Sequence, residues 1–176
     1  ELKGRDQRGV SLLDVACGNG RFLKTVMTVW PRLQAAGLDL SPNYTDAARG
    51  RLAPWPQVEV FHEAAEAMPL PDASRDIVVS IFLFHELPPE VRAPVLAEVF
   101  RILKPGGLFV LADSVQFGDY EGIDGVLEYF PHGFHEPYYN SYLAWDVDSA
   151  AIGQGFVKER ETLAFLTKVT TWRRPL

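Results

Sequence analysis

Two glycines and two acids carry the most chemical information in this chain. Gly18 and Gly20 lie in the string LLDVACGNGRFL, residues 12–23, between an apolar run and a helix-like stretch. Glycine at such a turn lets the backbone take positive φ and approach a ligand closely. The dinucleotide fingerprint requires a third glycine three residues after the second, and that position is Leu23. A triphosphate loop requires Gly-Lys-Ser/Thr, which is absent. Asp14 precedes the turn, where a carboxylate suits an ammonium group or a water network better than a pyrophosphate. Asp39 follows Gly20 by 19 residues, a position from which a carboxylate accepts hydrogen bonds from ribose hydroxyls. Together they point to a ligand with a ribose and a positive charge. The plainer alternative is a tight turn with Asp14 and Asp39 as cap or surface residues.

The elements that would hold these residues follow from hydrophobic pattern. Val10 to Val15 is a short apolar run suited to a buried strand. A helix follows the turn and ends before Pro31. Leu33 to Leu40 reads as a second strand, then Ser41 and Pro42 mark a helix start, with the helix running to about Leu52. Val58 to His62 and Asp76 to Phe82 are a third and a fourth strand. Glu90 to Leu103 has helical spacing and stops at the turn signal Lys104-Pro105-Gly106-Gly107, before a fifth strand over Leu108 to Ala112. Asp146 to Gly153 reads as a short helix. Val157 to Phe165 and Leu166 to Arg173 read as an antiparallel edge pair. The pattern predicts an α/β fold: a Rossmann-like, doubly wound, mostly parallel seven-stranded sheet with an antiparallel edge hairpin and helices on both faces. Ligands of such sheets bind at the carboxyl ends of the strands, where the strand order switches.

With these motifs in order, the chain resembles class I S-adenosylmethionine-dependent methyltransferases, in the small-molecule branch that includes ubiquinone and menaquinone biosynthesis enzymes. The resemblance covers about residues 10–113. It rests on Asp14, Ala16, Gly18 and Gly20 at the first turn, Ala16 standing where the family has its first glycine. It rests also on Asp39 in GLDLSP, on MPLPDASRDIVVS, on SIFLFHELP and on LKPGGLFVLAD. It implies S-adenosylmethionine as cofactor, held by Asp14, Ala16, Gly18, Gly20, Asp39, Leu40, Ala65, Glu66, Ser80 and Phe82. The family often holds the adenine amino group with an acid at the position of Ala64, so Glu63 or Glu66 would take over here, beside the backbone amide of Ala65. Methyl transfer by in-line displacement needs alignment of donor and acceptor more than a diagnostic catalytic residue. His85 and Glu86, after the fourth strand, would lie near the methyl group as the first candidates for substrate contact or proton removal, with Asp113 and Ser114 beside them. The bland reading of the first two is a loop histidine and a helix-entry glutamate.

Residues 117–145 hold nine of the chain's 21 aromatic residues and fall where this family inserts acceptor-binding elements. Such a wall suits a flat or hydrophobic acceptor. In FHEPYYNSY, His135 and Glu136 are a candidate base and orienting acid, and Tyr139 a further candidate catalytic residue. Tyr138, Tyr139 and Tyr142 could equally fill a satellite core or a dimer contact. His132, His135 and Glu136 could ligate a metal, but no second ligand pair supports them, and no metal is expected.

At 176 residues the expectation is a single methyltransferase domain with its acceptor-side insertion at about 114–145, lacking the family's helices ahead of the first strand. No signal-peptide pattern opens the sequence. A net charge of −6 disfavours nucleic acid as acceptor. No stretch reaches the roughly 20 apolar residues of a membrane helix. The lone Cys17 excludes an internal disulfide and a cysteine zinc site, which fits a reducing, cytoplasmic setting. The expected partner is a small acceptor, with oligomerisation open. A non-catalytic cofactor-binding or interaction module of the same fold, and a nicotinamide-dependent oxidoreductase, are the competing readings.

Overall fold

A computed structural model describes residues 9–176. The residues ahead of the first strand, including the start of the chain, lie almost wholly outside that range. The first strand, β1 (Ser11–Val15), lies between two parallel neighbours and is buried at every position, its side chains alternating into the cores on the two faces of the sheet. Those neighbours are β2 (Gln34–Asp39) and β4 (Arg75–Ile81). Between β1 and β2 runs α1 (Arg21–Val29), which buries Leu23, Val26 and Met27 at helical spacing and stops ahead of Pro31. After β2 comes α2 (Pro42–Leu52), entered as the sequence predicts: the Tyr44 amide donates to Ser41 Oγ at 3.4 Å and Pro42 takes the first helical position. Then come β3 (Glu59–His62), α3 (Pro89–Ile102) and β5 (Leu103–Ser114). Three shorter helices, α4 (Asp124–Gly133), α5 (Tyr139–Leu143) and α6 (Val147–Gly153), precede the hairpin of β6 (Val157–Ala164) and β7 (Thr167–Arg173).

The sheet has seven strands in the order β3-β2-β1-β4-β5-β7-β6. The first five are parallel, and the hairpin joins β5 antiparallel, as the sequence predicts. The chain winds outward from β1 to β3, then returns to place β4 on the other side of β1. That reversal opens a crevice at the carboxyl ends of β1 and β4.

Alternation along the strands sends side chains to two cores. Leu13 and Val15 join Val78, Phe84, Val95, Phe109 and Trp172 on one face. Leu12 joins Leu23, Met27, Ala35 and Val79 on the other. Trp172 of β7 stacks on Phe109 of β5 with ring centroids 5.5 Å apart, which fastens the antiparallel edge to the parallel core.

Two regions differ from the sequence expectation. The turn at Lys104-Pro105-Gly106-Gly107 lies inside β5. Arg75 pairs with Leu103 and Ile77 with Leu108, so the extra residues form an irregular bulge, with Gly106 at φ +79°. The aromatic segment is also more regular than expected. It forms α4 and α5, whose Leu127, Tyr139 and Leu143 close a small third core with Val115. Among the described residues, no helix is long and apolar enough to cross a membrane.

Gly37 in β2 is where the strand makes room for the glycine turn. A Cβ there would sit 2.7 Å from Cys17 Sγ and 2.8 Å from Leu23 Cδ1. Gly37→Ala is therefore expected to cost about 1–3 kcal/mol through overpacking. Gly50→Ala, in α2 with open space around it, is expected to gain up to about 1 kcal/mol. Thermal melts of the two variants check this, and equal midpoints would contradict it.

Candidate active site

The turn after β1 is left-handed at three positions: Ala16 at φ 59°, Gly18 at 51° and Gly20 at 76°. Glycine takes this conformation freely, whereas Ala16 carries about 1 kcal/mol of strain. The turn is pinned to β2, with the Cys17 amide donating to Leu38 O at 3.0 Å. The Arg51 guanidinium braces it from α2 by donating to Asn19 O at 2.7 Å. The Cys17 thiol is pushed up to about 12, first by burial and then by Asp14 and Asp39, so it stays protonated and unreactive.

Asp39 holds the turn from the end of β2. Its Oδ2 accepts the Gly18 amide at 2.8 Å and its Oδ1 accepts the Ser41 amide at 2.9 Å. Asp14 is 2% exposed. Burial first, and the Asp39 charge second, push its carboxyl up to about 8.

A cleft of about 750 Å³ opens over this turn. Of the expected cofactor residues, Ala16, Gly18, Asp39, Leu40, Ala65, Glu66 and Phe82 line it. Asp14 lies beneath Ala16 in the strand. Gly20 caps α1 and packs closely on α2, where an added Cβ would sit 3.2 Å from Ala48 Cβ and from Leu52 Cδ1. Ser80 is fully buried in β4 and its hydroxyl has no hydrogen-bond partner among the described residues. The sequence reading missed Asn19, Ser41, Tyr44, Leu83, Leu87 and Pro88, which also line the cleft. Their signal was adjacency: each lies within five residues of a motif residue.

At the far end of the cleft a single 3-10 turn, Phe84–Glu86, carries His85 and Glu86. Asp113, at the end of β5 and 1% exposed, anchors that turn. Its Oδ2 accepts the Phe84 amide at 2.8 Å, and its Oδ1 lies 2.6 Å from His85 Nδ1. Glu86 lines the cleft, while His85 packs behind it, edge-on to Tyr139 and Tyr142 at 5.9 and 6.2 Å. Burial pulls the imidazole pKa down, but the Asp113 hydrogen bond and charge, with Glu136 and Glu86, leave it raised. Glu86 is raised by burial and then by Glu136 and Asp113, against the pull of His85. Tyr139 is raised by burial, and its hydroxyl lies 2.6 Å from Ser114 Oγ.

The structure thus brings His85, Glu86 and Tyr139 together. It leaves His135 exposed, with no hydrogen bond among the described residues. Arg92, 1% exposed, was missed altogether. It donates to Phe84 O at 3.2 Å, Tyr138 O at 3.0 Å and Ser141 Oγ at 2.7 Å, tying α3 to the 3-10 turn and to the aromatic segment. Its signal was an arginine on the apolar stripe of Val95, Leu96 and Val99.

Residues 12–107 match the family model described as a methyltransferase domain, more than half of the chain. The chain belongs to this methyltransferase family. That bears out the resemblance to class I S-adenosylmethionine-dependent methyltransferases. A demethylmenaquinone methyltransferase of Listeria welshimeri is 34% identical over 115 residues, which are 64% of this chain and 48% of that protein. The chain spans about half the length of the curated relatives it matches. Among solved structures, a putative methyltransferase from Bacillus halodurans superposes with a TM-score of 0.78 at 17% identity, over 98% of this chain and 95% of that one. A SAM-dependent methyltransferase from Aquifex aeolicus gives 0.74 at 20%, over 96% and 84%. These two likenesses bear out the fold.

Asp14 makes the stability of the fold sensitive to base. Its pKa is about 8 folded against 3.8 ordinarily, so its contribution is complete below the lower value and is lost as pH rises through the higher one. Asp14→Asn is expected to melt above the parent protein, with the gap widening by several degrees between about pH 5 and 8.5. A gap that stays constant with pH would contradict this.

Proposed function

We propose that this methyltransferase moves the sulfonium methyl group of S-adenosylmethionine onto a small-molecule acceptor by in-line displacement. One observation carries the reading. The cleft over the glycine turn is bounded by a carboxylate that already holds two loop amides and keeps a second lone pair on each oxygen. Those lone pairs fit the two hydroxyls of a ribose. The cleft volume lies within the range of about 300–1,000 Å³ usual for small-molecule sites. Ala65 and Glu66 would flank the adenine, with Leu40 over it. Asp14, buried below the turn, would answer the ammonium of the methionine part.

When bound, the cofactor supplies an activated methyl group, and the protein aligns donor with acceptor. Phe82, Leu83, Leu87 and Pro88 give the acceptor end of the cleft an apolar wall. That wall fits an aromatic or hydrophobic acceptor, of the kind the name of the Listeria relative implies for that protein. The polar group of His85, Glu86 and Tyr139, held by Asp113 and Ser114, is the acceptor-side contact. His135 is a candidate at the exposed rim. In this reading the chain is one methyltransferase domain with residues 114–145 as its acceptor-side insertion, working in the cytoplasm.

Binding is the first test. S-adenosylhomocysteine is expected to saturate one site in a thermal-shift titration, with NAD giving no shift. Asp39→Ala is expected to weaken it by about tenfold to a hundredfold, from the loss of charge-assisted hydrogen bonds worth roughly 1.5–3 kcal/mol. Retained affinity would contradict the cofactor site. With an acceptor in hand, His85→Ala and His135→Ala are expected to lower kcat while leaving S-adenosylhomocysteine affinity within about threefold. Unchanged turnover in both would return the acceptor site to packing alone.

A further inference from the structure

The two most distinctive strings of the sequence, HELP and HEPYY, meet at the acceptor end of the cleft. His85 and Glu86 come from the first, and Glu136 comes from the second. One ligating atom from each of the three lies within 4.8 Å of the other two. The separation from His85 Nε2 to Glu86 Oε1 is 3.9 Å. Metal bonds of about 2.0–2.2 Å require ligand atoms closer than this, and the two flexible glutamate side chains supply that contraction.

The imidazole is set up as a ligand. Its Nδ1 lies 2.6 Å from Asp113 Oδ1, which itself accepts the Ser114 amide at 2.7 Å. A proton held at Nδ1 by a carboxylate leaves the lone pair on Nε2, the arrangement that orients metal-binding histidines. The residue is 8% exposed, and its Nε2 makes no hydrogen bond among the described residues. The ring is fixed edge-on by Tyr139 and Tyr142. Neither Glu86 nor Glu136 pairs with a lysine or arginine among the described residues. Two carboxylates therefore converge on one imidazole nitrogen, with no lysine or arginine of the described residues paired to them.

We propose that His85, Glu86 and Glu136 bind one divalent first-row metal ion. One nitrogen and two carboxylate oxygens suit manganese, iron or zinc. Three protein ligands leave coordination positions open, and Glu86 lies on the wall of the cleft, so an acceptor oxygen can complete the shell beside the methyl donor. The set is not the His132, His135 and Glu136 group considered from sequence. It was invisible there because Glu136 lies some fifty residues from the adjacent His85 and Glu86. Metal binding here does not depend on the methyl-transfer reading, although that reading gives the ion its use.

The test is a titration of the untagged, chelator-treated protein with Mn²⁺, following loss of the free-ion resonance signal, and with Zn²⁺ by calorimetry. One saturable equivalent is expected. Glu136→Gln and Glu86→Gln are each expected to raise the dissociation constant about tenfold or more, typical of a lost ligand. Circular dichroism melts of both variants show whether they fold, and Glu136 sits on a partly exposed segment where the change is conservative. No saturable binding of either ion, or equal affinity in both folded variants, would overturn the proposal. Binding of S-adenosylhomocysteine, measured separately, keeps that failure distinct from failure of the cofactor site.

Discussion

The Asp39 carboxylate is the tie on which the site depends. One oxygen holds the Gly18 amide from the turn after β1, and the other holds the Ser41 amide at the entry to α2. Two loops from different strands are thus fixed to one side chain, and charge-assisted bonds of this kind are about twice as strong as neutral ones. Their close approach needs a strand with no side chain at Gly37, where Cys17 and Leu23 press in. It also needs a left-handed turn, which strains Ala16. The bracing of Asn19 by Arg51 follows from the same closeness of turn and helix.

This arrangement sets two acids near each other at one end of the sheet. Asp39 accepts two backbone amides, while Asp14 has burial and a like-charged neighbour acting against ionisation. Ionising Asp14 in this fold therefore carries an electrostatic cost that a cationic group placed beside it would relieve. The far end of the cleft has a buried carboxylate with different partners: Asp113 holds a backbone amide and an imidazole. Arg92 locks that end from behind, lying over the Trp145 ring at 5.5 Å while its guanidinium ties together the 3-10 turn and α5. Leu40, Tyr44 and Phe82 stand exposed along the walls of the cleft.

Most of the scaffold was legible in the sequence because its signals are local. Buried parallel strands read as apolar runs, Ser41-Pro42 announces a helix, and the glycine turn with Asp39 fixes a spacing that belongs to one crevice. What stayed hidden depends on contacts between distant segments. The bulge in β5 looks like a turn because Pro105, Gly106 and Gly107 form the same string in either setting; only pairing with β4 decides it. The tyrosines divide between the main core, which takes Tyr142, and the third cluster, which takes Tyr139, while Tyr138 stays exposed. No periodicity in so short a segment separates these fates. The convergence of Glu136 on His85 is likewise a product of tertiary packing.

Proton release is the most direct measure of the central claim, that a buried acid pair and a glycine turn form a site for a cationic nucleoside ligand. Calorimetric titration with S-adenosylhomocysteine at about pH 6.5, in two buffers of different ionisation enthalpy, reads the stoichiometry and the protons exchanged. At that pH the ligand's amino group is already charged and Asp14 is protonated. The account predicts one site and release of roughly one proton as Asp14 ionises against the ammonium. Absence of binding, or binding with no proton released, would contradict it.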